Sequence, residues 1–110
     1  MQHWPLWVVP YRIEEPYPWI NREYATRMTD QLMIDVAIYG KRNSQRELDW
    51  SEVLERKTHE LGGIKTLISR NHYAPEEFWR VYDREHWTAA KAELDPAGRF
   101  NDLYEKFRPR

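Results

Sequence analysis

"QLMIDVAIYG", residues 31–40, is the stretch on which the fold turns. Leu32, Ile34, Val36 and Ile38 recur at period two, the spacing that puts alternate side chains on one face of a strand. Gln31, Met33, Asp35, Ala37 and Tyr39 fall on the opposite face. The aliphatic face predicts core. The second face is mixed, and a carboxylate in mid-strand needs a hydrogen-bonding partner or water. Gly40 ends the strand.

Upstream, "PLWVVPY" (5–11) is a second extended segment, and its prolines predict an edge strand because proline donates nothing to a ladder. Between the two, residues 14–30 carry turn chemistry at Pro16 and Pro18 with no sustained period, which predicts a loop. Downstream, residues 44–63 predict a helix. Ser44 and Glu47 have capping-box spacing, Trp50, Val53, Leu54 and Leu61 make an apolar stripe, and Gly62–Gly63 ends it. The charged run 46–60 predicts a solvated face.

"IKTLISR" (64–70) predicts a further strand. Pro75 then sits at a first helical position, with Phe78, Trp79 and Tyr82 on the apolar side. Residues 84–94 predict another helix, stopping before Asp95–Pro96. In the closing tail, Phe100, Leu103, Tyr104 and Phe107 recur at helical spacing, as in a segment that docks on something. The order implies one α+β unit over residues 1–110. It is a small antiparallel sheet with helices packed on one face and the other face free for a partner.

Composition narrows the function. Seventeen basic residues against eighteen acidic give a net charge of -1, no electrostatic case for nucleic acid or an anionic membrane. Six Trp, seven Tyr and three Phe supply large apolar areas whose polar tips need partners when buried. The absence of cysteine excludes disulfides, thiolate catalysis and cysteine zinc sites, and fits a cytoplasmic setting. No apolar run approaches the ~20 residues of a membrane helix. The N-terminus lacks the basic start of a secretory signal.

Few residues offer chemistry. His3, His59, His72 and His86 show no metal-site spacing. "SRNHY" (69–73) is the one dense polar cluster, between a strand end and a helix start. There Arg70 can pair with a carboxylate or phosphate, and His72 or Tyr73 can move a proton. The same residues can equally make the turn, with Tyr73 stapling the next helix. Asp35 and Tyr39, on one strand face, can line a pocket or be satisfied by a neighbouring strand or domain. Glu76 and Glu77 read as complements to a helix dipole.

Taken together, "PLWVVPYRI", "LMIDVAIYG", "LGGIKTLISRNHYAPEEFWRVYD" and "LDPAGRFNDLYEKF" resemble the C-terminal end of FAD-linked oxidoreductases of the Δ24-sterol-reductase kind. These lie within the vanillyl-alcohol-oxidase (PCMH-type) flavoprotein superfamily. The resemblance runs from about Trp4 to Phe107. It implies a cap whose sheet covers the isoalloxazine ring and shapes the substrate pocket, while a separate FAD-binding domain, in cis or in trans, holds most of the cofactor.

Carried over residue by residue, the resemblance implies that Gln31, Met33, Asp35 and Tyr39 face flavin or substrate, with Ser69, Asn71 and His72 at the ring edge. Some superfamily members place a lysine near the position of Ser69, and a serine cannot do that work. The implied substrate is a bulky, apolar, sterol-like molecule. The chain is then inactive without its flavin domain, and no catalytic acid is assigned. The alternative is a stand-alone α+β interaction or ligand-binding module, its exposed face covered by its own kind in a homo-oligomer.

Overall fold

A computed structural model describes residues 5–14, 17–28, 30–40, 47–68 and 70–108. Strands β1 (Leu6–Arg12) and β2 (Leu32–Ile38) form a two-stranded antiparallel sheet in which Leu6 lies opposite Ile38 and Arg12 opposite Leu32. The flanking bonds, from Ile13 N to Gln31 O at 2.8 Å and from Tyr39 N to Pro5 O at 3.2 Å, fix the alternation. Odd-numbered residues bond across the ladder, and even-numbered residues aim N–H and C=O at the two open edges. Pro10 therefore stands where its missing donor costs the hairpin nothing.

The remaining elements are helical: α1 (Arg22–Ala25), α2 (Trp50–Glu60), α3 (Pro75–Val81), α4 (Arg84–Leu94) and α5 (Leu103–Phe107). Side chains cap most of them. Asn21 Oδ1 accepts from Glu23 N at 2.9 Å, Asp49 Oδ1 from Ser51 N at 2.9 Å, Asp83 Oδ1 from His86 N at 2.9 Å and Asp102 Oδ1 from Glu105 N at 2.7 Å. Pro75 opens α3, and Glu77 Oε2 reaches back to Ala74 N at 3.0 Å. Gly62, at φ 80°, supplies the left-handed turn that ends α2. Ser44, the expected cap, lies outside the described residues; Asp49 caps the helix instead.

The core lies among the helices. Ile20, Tyr24, Tyr73, Phe78, Val81 and Tyr82 are buried together, with Ile64, Leu67, Leu103 and Tyr104 packed against them. Phe78 is the centre, its ring 4.5 Å from Tyr82 and 5.5 Å from Tyr104, centroid to centroid. A small antiparallel α+β fold is therefore present, but its details differ from the expected ones.

Four differences matter. The aliphatic face of β2 is not core: Ile34 is 58% exposed, and Leu32, Val36 and Ile38 are open with it. Period two shows which side chains share a face but not whether anything covers it. The described residues of 64–70, expected as a strand, pair with no strand; Ile64 and Leu67 turn into the helical core instead. Residues 14–30 are not merely loop. They contain α1 and deliver Ile20 and Tyr24, pinned by Asn21 N to Val81 O at 2.9 Å and Asp83 N to Trp19 O at 2.8 Å. The tail docks on its own chain: Tyr104 meets Phe78, and Phe107 O accepts from Asn71 N at 2.6 Å.

The turn that returns the tail is organised by Asp95. Its carboxylate accepts from Lys91 Nζ at 2.6 Å, Arg99 N at 2.8 Å and Phe100 N at 3.0 Å. The lysine first, then the two amides, lower its pKa from 3.8 to about 2. A depressed carboxylate pKa contributes stability that is complete above 3.8 and lost as pH falls through 2. Asp95→Asn should therefore flatten the acid limb of a pH–stability profile over that window. An unchanged limb would show that the turn adds nothing to stability.

Candidate functional site

The radius of gyration, 15.7 Å, exceeds the ~13 Å of a compact domain of this length, because the hairpin stands off from the helical body. Between them opens a cleft of about 770 Å³. Asp35, Ala37, Ile38 and Tyr39 line it from the sheet side, Trp50 and Leu54 from α2, and Ile68 and Arg70 from the segment after α2. Most of the exposed wall is apolar, supplied by Ile38, Tyr39, Trp50, Leu54 and Ile68, while charged and hydroxyl side chains are interspersed with it, a combination found in small-molecule sites.

Glu55 forms the polar wall. It lies inside α2 yet is only 2% exposed. Its Oε2 receives Lys65 Nζ at 2.6 Å, and its Oε1 receives the backbone N–H of His72 at 2.8 Å. Lys65 Nζ donates as well to the carbonyl of Arg70. One buried carboxylate thus folds residues 65–72 into a tight loop against α2, and each of its oxygens is satisfied, as burial requires. Arg70 Nη2 meets the Asp49 carboxylate at 2.8 Å, and His72 Nε2 lies 3.2 Å from Ser51 Oγ.

A second layer lies behind this loop. The Tyr24 hydroxyl donates to Gly63 O at 2.7 Å, so its oxygen accepts from His59 Nδ1, 3.2 Å away; that nitrogen carries the proton. The His59 ring stands edge-on to Tyr73, centroids 5.5 Å apart. Asn71 is fully buried, its Oδ1 accepting from Tyr73 N at 3.2 Å.

Burial, followed by the nearby Glu55 charge, raises the Tyr73 hydroxyl above the ordinary 10.0; burial, followed by Tyr73, does the same to Tyr82. A raised tyrosine pKa contributes stability that is complete below 10.0 and declines as pH climbs above it, since the unfolded chain ionises first. Alkaline titration followed by tyrosinate absorbance should show these two tyrosines ionising only as the fold melts. Their early ionisation with native circular dichroism intact would contradict the burial.

The residues singled out in the sequence divide. Asp35 and Tyr39 line the cleft, and Arg70 joins them there. His72 and Asn71 stand behind it, held through Ser51, Glu55 and the tail. Met33 is half-buried on the inner sheet face, outside the cleft lining. Gln31 is farther off, its Oε1 taken by Arg12 Nη2 at 2.7 Å. Ser69 lies outside the described residues.

The sequence hides Glu55 in a run, 46–60, that reads as a solvated face, and Lys65 in a stretch, 64–70, that reads as a strand. A signal existed. Ser51, Glu55, Thr58 and His59 recur at four, three and one residues along one helical face, and that small, polar face is the one turned inward. The stripe expected to pack, Trp50, Val53, Leu54 and Leu61, is exposed or borders the cleft.

Among the described residues no group of His, Asp and Glu is placed to hold a metal ion, and no helix is long and apolar enough to cross a membrane. No protein-family model, no curated protein and no solved structure matches the chain.

Proposed function

We propose that this chain is the cap portion of an FAD-dependent oxidoreductase of the Δ24-sterol-reductase kind, contributing one wall of a pocket for flavin and a bulky apolar substrate. The observation that carries the reading is the open cleft, where the mixed face of β2 meets an apolar helix wall over a fixed polar loop. Such a cleft has the size of a ligand site and stands open to a second body.

The residues present fit a covering role and not a holding one. Among the described residues that line the cleft, Lys65 is committed to Glu55 and Arg70 to Asp49, so neither cation is free for a phosphate. A flavin would then be gripped by a domain in cis or in trans. Asp35, Tyr39 and Trp50 would border its ring or the substrate beside it, excluding water and orienting the apolar molecule. When bound, flavin supplies hydride transfer at its N5. The second reading, a stand-alone binding module, is favoured by the tail's docking on its own core.

The test is capture from the native host with an antibody to the tail, followed by intact mass and visible spectrum. A flavin-coloured species, either one longer polypeptide or a tight complex, is the expected result. In it, Asp35→Ala should shift the flavin spectrum or slow turnover. A colourless species of 13.5 kDa alone would overturn the reading in favour of the stand-alone module.

A further inference from the structure

Three consecutive residues behind the cleft are held by three different parts of the chain. The carbonyl of Arg70 accepts from Lys65 Nζ, the N–H of Asn71 donates to the carbonyl of Phe107 at 2.6 Å, and the N–H of His72 donates to Glu55 Oε1 at 2.8 Å. The middle grip belongs to the tail. Past the Asp95 turn the tail rests on the core through Leu103 and Tyr104, and α5, at five residues, is too short to be stable alone. Asn71 is fully buried where the tail meets it, yet among the described residues its Nδ2 has no acceptor. A buried donor without a partner carries a cost that hydration would return.

We infer that the tail is a releasable strap that sets one wall of the cleft: docked, it fixes residues 70–72, and released, it frees the turn that carries Arg70. Arg70 lines the cleft, and its guanidinium meets the Asp49 carboxylate at 2.8 Å. The backbone next to the strap's grip is therefore the backbone that places this side chain. Two features bring release within reach. A helix of one short turn keeps its form only while its contacts last, and water admitted to Asn71 satisfies the orphaned donor, offsetting part of the lost packing. Because the strap and Glu55 hold neighbouring amides, loosening either loosens the other, the reciprocity that coupled sites obey. The strap acts on this wall whatever molecule fills the cleft, so it stands apart from flavin chemistry.

The test is amide hydrogen exchange of the purified chain and of Asp102→Ala, which removes the α5 cap on Glu105 N and leaves the buried core untouched. Exchange of the Asn71 amide should rise about fivefold, the effect of losing an average helix cap, and the His72 amide should rise with it. The amides of Asn21 and Tyr82, bonded to Val81 O and Phe78 O, should keep their wild-type rates. In the reverse direction, Glu55→Gln should speed tryptic cutting after Arg99 and Lys106, both exposed, without a matching rise at Tyr82. A rise at Asn71 without one at His72 overturns the inference, because the tail would then hold nothing beyond its own contact. So does a rise shared equally by Asn21 and Tyr82, which would make the tail part of one cooperative core. No rise at Asn71 or His72, or cutting of Glu55→Gln at the wild-type rate, overturns it as well.

Discussion

Glu55→Ala should destabilise the domain by about 3–5 kcal/mol, the cost of breaking a buried ion pair by removing one partner. Lys65 would lose its carboxylate partner in a site where its side chain is only 13% exposed, leaving the carbonyl of Arg70 as its acceptor among the described residues. The backbone N–H of His72 would lose its acceptor as well. Urea denaturation measures the loss directly. The double variant Glu55→Met, Lys65→Met separates the two contributions. It removes both charges and keeps the bulk, so it should recover much of the stability, while the 65–72 loop loses its fixed geometry. If Glu55→Ala unfolds at the wild-type urea midpoint, the carboxylate is not the anchor described.

Phe78→Ala should be comparably severe, by about 3–5 kcal/mol, because truncating a buried aromatic removes its transfer energy and leaves a cavity. Phe78 is fully buried and its ring touches Trp79, Tyr82 and Tyr104. Domains of this size are stable by only ~5–15 kcal/mol, so a large part of the margin would go. The tail should respond first, because Tyr104 loses the ring it packs on and α5 is a single short turn. Limited proteolysis should therefore release the tail of Phe78→Ala before the body of the fold is cut. A thermal midpoint equal to that of the wild type, with the tail still protected, would remove Phe78 from the centre of the core.

Both predictions fall on the helical half of the molecule, and this distribution bears on function. The hairpin contributes no residue to the buried core, yet it carries Asp35 and Tyr39 to the cleft. Its position relative to α2 sets the width of that cleft. A pocket with one wall on a lightly anchored hairpin and the other on a buried ion pair is suited to close on a partner or ligand. On the proposed cap reading, disturbing Glu55 should therefore change ligand capture as well as stability.

What the sequence by itself determined is local. Pro75, the Gly62 turn, the Asp95–Pro96 stop and the alternation of 31–40 each act through the backbone of a few residues, and each is where its chemistry put it. What only the tertiary structure decided is which side of each element is inside. The aliphatic face of β2 and the apolar stripe of α2 have the right periods, but their side chains stay more than a third exposed. Periodicity reports that residues share a face, whereas burial depends on what arrives from elsewhere. The Glu55–Lys65 pair follows the same logic, since a carboxylate in a charged helix is buried only when a distant turn brings a cation and an amide to meet it. The described residues of 64–70 have a strand-like pattern without a strand partner, and Ile64 and Leu67 pack against the core around Phe78 instead.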